Sequence, residues 1–155
     1  MIPNITRRSK QTERWKPRKR TAARYSDVHE FVTRHAFRRV RRLSTFPIFN
    51  AFSDLVELVT GHAIRVASEM LVAGRTDLTN RDGYQALAKE TIRRVSLCRS
   101  AEAGHLNLSP AITKAILAVV WAWLRIQFPI LNTTTAVMAA GALADLLTTR
   151  RRRIE

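Results

Sequence analysis

From Leu55 to Ala88 the chain reads as one long apolar helix, a short strap containing a single glycine, and a further helix opened by Asn80-Arg81-Asp82. The long helix constrains the fold most. Pro47 suits the first turn of a helix, where its missing N–H costs nothing, so the helix is expected to start near residues 45–47 and run to Val72. Along it Leu55, Val56, Leu58, Val59, Ala63, Ile64, Val66, Ala67, Met70, Leu71 and Val72 cover more than one face. Such a helix must be buried around most of its circumference, and a chain this small is expected to need a second chain to surround it. Gly61 weakens the helix by roughly 1 kcal/mol and suggests a close helix crossing. Gly74 can end the helix in the left-handed cap conformation, and Asn80 can cap a third helix running through Tyr84, Leu87 and Ile92 to about Val95.

The charge balance limits the partners. In 155 residues there are 27 Lys and Arg against 12 Asp and Glu, a formal net charge of +15, and 22 of the 27 are Arg. A surplus of this size favours a polyanion, and guanidinium forks match phosphate geometry. Residues 1–24 concentrate nine of these cations against Glu13 alone, with too little apolar surface to offset ordering entropy, so residues 1–25 are expected to be a disordered basic arm. Within the arm, Lys16-Pro17-Arg18-Lys19-Arg20 reads as a nuclear-localisation run, and Arg18, Lys19 and Arg20 are candidate DNA contacts. The N-terminus has no apolar core of the kind a secretory signal needs, and the single Cys98 fits a reducing compartment.

Around the long helix, Ser26-Asp27 can cap a first helix whose apolar residues Val28, Phe31, Val32 and Phe37 recur at helical spacing to about Val40. Arg41, Arg42 and Leu43 then lead through a loop to Ser44. Residues 99–108 read as another loop, followed by helices at about 110–128 and 133–149, divided by Pro129 and closed by Arg150 to Arg153. The ten uncharged residues from Ala115 to Leu124 fall well short of the ~20 needed to cross a bilayer, so no membrane is expected. The resulting expectation is an all-α chain with an arm (1–25), a helical domain (26–97), a C-terminal helical hairpin (98–149) and a basic tail (150–155).

The run Ala73-Gly74-Arg75-Thr76-Asp77-Leu78-Thr79-Asn80-Arg81-Asp82 resembles the end of the central helix, second loop and third-helix start of archaeal and eukaryotic core histones. Val40-Arg41-Arg42-Leu43-Ser44 looks like the first loop of that family, and the separation between the two runs matches its central helix. The resemblance covers about residues 26–95. It implies a histone fold (short helix, long central helix, short helix) and an ion pair between Arg75 and Asp82. It further implies a homo- or heterodimer with another histone-fold chain clasped through Leu55, Leu58, Val59, Val66 and Met70, in a larger nucleosome-like assembly. DNA would be held by Arg38, Arg39, Arg41, Arg42, Ser44, Arg75, Thr76 and Thr79 through phosphates rather than bases. Thr76 and Asp77 stand where the family has a basic residue and then Thr, and Val72 stands where it often has His.

The functional expectation is therefore a histone that packages duplex DNA in chromatin, or in a virion or viral factory if virus-encoded. Two other readings fit parts of the chain: a helical nucleocapsid protein of a filamentous virus, and a histone-fold scaffold subunit of a transcription or kinetochore-type complex. An enzyme is not expected. His29, His35, His62 and His105 show no metal-ligand spacing with Cys98, no glycine-rich phosphate loop occurs, and no cofactor is implied.

Overall fold

The computed structural model describes residues 24–43, 49–102 and 110–154. Among these residues there are five helices and no strand: α1 (Tyr25–Leu43), α2 (Phe49–Val72), α3 (Arg81–Glu102), α4 (Pro110–Gln127) and α5 (Thr133–Ile154). The fold class is all-α. The basic arm, Ser44 with the expected Thr45–Pro47 helix start, and most of the expected 99–108 loop lie outside the described residues.

Local chemistry explains the helix ends. Gly74, at φ +87°, is the left-handed residue that closes α2. Its N–H donates to the Leu71 carbonyl and the Arg75 N–H to the Met70 carbonyl, both at 3.0 Å, the paired bonds of a Schellman cap. Asn80 precedes α3, and its carbonyl accepts the Tyr84 N–H at 2.9 Å. Asn132 caps α5 with its side chain, Oδ1 accepting the Thr135 N–H at 2.9 Å. Pro129 lacks the N–H that would continue α4 and disfavours helical backbone at Phe128, which fixes the break after Gln127.

Other boundaries differ from expectation. α1 starts on the Arg24 carbonyl, which accepts the Asp27 N–H at 3.0 Å, so Ser26 and Asp27 lie inside the first turn. It also continues through Arg41, Arg42 and Leu43, where a loop was expected; Arg and Leu are good helix formers, and nothing in that run interrupts the helix. α3 extends to Glu102 rather than about Val95.

The core corrects the expectation that one chain could not enclose α2. Helices α1, α3, α4 and α5 all pack on it. Leu55, Val56, Val59, Ala63, Ile64, Val66, Ala67, Met70 and Leu71 are buried by the chain's own helices. Each fully buried aliphatic side chain contributes roughly 1.5–3 kcal/mol. On α1 the stripe Val28, Val32, Ala36 and Val40 faces α2 and α4, and on α4 and α5 the residues Ile116, Leu117, Val120, Leu124, Leu143 and Leu146 join the same cluster. The C-terminal helices are thus part of one core with α1–α3. The C-terminal hairpin, expected as a separate extension, supplies the cover, because its own apolar faces need burial as much as α2 does.

Candidate nucleic-acid interface

The spacing that buries Val28, Val32, Ala36 and Val40 turns Phe31, His35, Arg38 and Arg39 to another side of α1. There they meet Val119 and Ala122 of α4 around a hollow of about 260 Å³. Ala122 also borders a second hollow, of about 530 Å³, completed by Thr79, Asn80, Arg125, Ile126 and Pro129. On the other flank, Arg38 lines a third hollow of about 590 Å³ with His29, Thr33, Phe37, Ser53 and the Glu30–Arg34 ion pair. Arg38 borders the first and third hollows and Ala122 the first and second, so the three adjoin one another from α1 across α4 to the strap before α3.

Arginines line this track. Arg38, Arg39 and Arg125 are exposed, and no carboxylate among the described residues pairs with them. Arg125 lies over the Trp121 ring at 4.7 Å, a cation–π contact that orders its side chain. Trp121 is fixed in turn: its indole N–H donates to the Leu78 carbonyl at 3.2 Å, and its ring stands 4.8 Å from that of Tyr84. Burial pushes the Tyr84 phenol above its ordinary pKa, and the Arg39 charge offsets part of that rise. Strap, α3, α4 and α1 therefore converge here. At the α1 wall the Phe31 and His35 rings are 4.2 Å apart, and His35 Nδ1 bonds the Phe31 carbonyl at 2.9 Å.

Of the residues expected to bind DNA, Arg38, Arg39 and Thr79 share this track. Arg75 and Thr76 are exposed on the strap. Arg75 does not form the expected pair with Asp82. Its Nε and Nη2 donate to the two carboxylate oxygens of Asp77 at 3.1 and 2.6 Å. This bond holds the Asp77 carboxyl below its ordinary pKa, whereas Asp82 reaches Arg75 only as a more distant charge. Asp77 takes the role because it sits two residues along the same strap, while Asp82 stands exposed in the first turn of α3. Arg41 and Arg42 lie in the last turn of α1, and Arg18, Lys19, Arg20 and Ser44 fall outside the described residues. Of the expected dimer-core residues, Leu55, Val59, Val66 and Met70 are buried within the chain and Leu58 packs half-buried against the same core.

Arg125, Trp121 and Ala122 are not singled out by the sequence, where the apolar run of α4 points only to packing. Their signal was the i, i+4 placement of Arg125 after Trp121. Elsewhere, Cys98 Sγ lies 3.3 Å from His62 Nε2 between α3 and α2. No group of three metal-ligating side chains occurs among the described residues. No described helix is long and apolar enough to cross a membrane. The chain matches no family model, no curated protein and no solved structure.

Proposed function

We propose that the protein packages nucleic acid, binding duplex DNA through phosphate contacts that do not depend on base sequence. The observation that carries this reading is the track holding Arg38, Arg39 and Arg125 without a paired carboxylate among the described residues, on a chain of net charge +15. Unpaired guanidinium groups on one face supply fixed positive potential, and the arm with Arg18, Lys19 and Arg20 adds a second cationic element. Packing of this kind belongs in chromatin or in a virion.

The enclosure of α2 by its own chain supports a unit that binds as one folded body, as a nucleocapsid-type coat protein would. The histone-type reading, in which two chains clasp through α2, rests on the Gly74 to Asp82 resemblance. Native mass measurement separates the two: a monomer at micromolar concentration favours the first and an obligate dimer the second.

Binding to two unrelated duplexes across a salt series tests the proposal. Engagement of about six phosphates would give a log–log slope of about −5, equal for both sequences. A flat salt response, or strong preference for one duplex, overturns it.

A further inference from the structure

A duplex stacks its bases face to face and presents mainly phosphates and sugars, so its base faces are not available to an apolar floor. The track between α1 and α4 has such a floor. Phe31, Val119 and Ala122 line its central hollow, and Ile126 and Pro129, beside the polar Thr79 and Asn80, line the next, with Arg38, Arg39 and Arg125 at the two hollows. Ile126 is 63% exposed, a large apolar side chain left facing solvent. Neither of these two hollows is lined by an acidic residue. A ligand that fits must alternate flat apolar groups with anionic ones along its length.

We propose that this track holds an unpaired nucleic-acid strand, its bases laid against the Phe31–Ala122–Ile126 floor and its phosphates on Arg38, Arg39 and Arg125. Sequence-tolerant strand binding elsewhere combines the same two parts, a cationic groove that follows the backbone and ring faces on which bases stack. The Phe31 and His35 rings provide the stacking surface, and Arg125, already ordered on Trp121, keeps N–H edges free to fork onto a phosphate. Ala122 matters because it is small. It forms the saddle shared by the two hollows, and a longer side chain there would divide the track.

The inference rests on the phosphate-binding reading above but separates from it experimentally. The full chain is titrated with labelled oligo-dT of about twenty nucleotides and with a duplex of equal length, at one salt concentration. Arg38→Ala/Arg125→Ala removes two surface cations that both ligands would use and is expected to weaken binding of both. Ala122→Leu leaves the three arginines in place but fills the saddle between the two hollows, so it is expected to weaken oligo-dT binding about tenfold and duplex binding, which needs only the phosphate contacts, less than threefold. No loss on oligo-dT with the arginine variant, or equal losses on both ligands with Ala122→Leu, overturns the groove. Ultraviolet cross-linking of oligo-dT to the unaltered chain tests it without any variant: adducts on peptides spanning residues 31–39 or 119–130 support the track, and adducts confined to residues 1–23 overturn it. If the duplex does not bind while oligo-dT binds and depends on both arginines, duplex packaging fails and the strand groove stands.

Discussion

Gly83 lies so close beneath the Asp77 carbonyl that a Cβ built on it would stand 2.0 Å from that oxygen and 2.7 Å from the Leu78 Cα. The strap is therefore seated directly on the first turn of α3, which also places Thr79 and Asn80 beside α4. Because both contacts are backbone atoms, Gly83→Ala can be accommodated only by moving the strap. The overlap is expected to cost about 1–3 kcal/mol or more, against a helix-propensity gain of roughly 1 kcal/mol. Gly141→Ala provides the contrast: no atom would lie within 4 Å of its Cβ, so the same change in α5 should stabilise by up to about 1 kcal/mol. Thermal unfolding of the two variants should shift in opposite directions.

Residues whose effect is local were legible in the sequence. Gly74 announced the end of α2, Asn80 the start of α3 and Pro129 the break after α4, because each acts on backbone within a few residues of itself. The content of the track was not, since Arg39 and Arg125 border adjoining hollows only when α4 packs across α1. Asp77 and Asp82 illustrate the same limit: both are acidic neighbours of Arg75 in sequence, and only the path of the strap decides which carboxylate reaches it. The envelope of α2 needed the still longer-range pairing with α5, where the Ser68 hydroxyl meets the Ala140 carbonyl at 3.4 Å.

Two hydroxyls should be dispensable. Thr60 on α2 and Thr91 on α3 are fully buried, and their Oγ1 atoms find no hydrogen-bond partner among the described residues. A buried unsatisfied hydroxyl costs about 1–3 kcal/mol, and Val keeps the shape and the β-branch. Thr60→Val and Thr91→Val are each expected to raise the urea midpoint, whereas serine at either position, which keeps the hydroxyl and opens a cavity, should lower it.

Acid should loosen the α2–α3 contact. Arg94 of α3 donates to both oxygens of Glu69 on α2 and, through Nε, to Glu90 at 3.0 Å, while Arg93 also grips Glu90 at 2.6 Å. Hydrogen bonds from Arg93 and Arg94 pull Glu90 down to about 2, and the bond from Arg94 holds Glu69 below its ordinary value. Both carboxyls have folded pKa values depressed below the unfolded ones. Their stabilisation is fully present above the ordinary carboxylate range near 4.5 and fades as pH falls toward 2. Melting temperature followed from pH 7 to pH 3 should drop more steeply in the unaltered protein than in Arg94→Gln, and the gap between the two should narrow with acidity. A constant gap across that range would mean that Arg94 acts by packing alone.

The strap makes the sharpest distinction between local geometry and family pattern. Arg75 and Asp77 form a two-pronged bond at the surface, with side chains 42% and 33% exposed, so solvent screens much of their attraction. A double-mutant cycle on Arg75→Ala and Asp77→Ala is expected to return a coupling energy of about 0.2–1 kcal/mol, toward the upper end because the geometry is bidentate. The parallel cycle on Arg75→Ala and Asp82→Ala should return almost none, since those residues share no hydrogen bond. Asp82→Ala alone should still cost about 0.3–1 kcal/mol, because Asp82 is the acidic residue in the first turn of α3, where its charge favours the positive end of the helix dipole. Equilibrium urea unfolding of the five variants and the unaltered chain measures all of these terms. A strong Arg75–Asp82 coupling with none between Arg75 and Asp77 would reverse the assignment and return the strap to the histone arrangement that the spacing of those residues resembles.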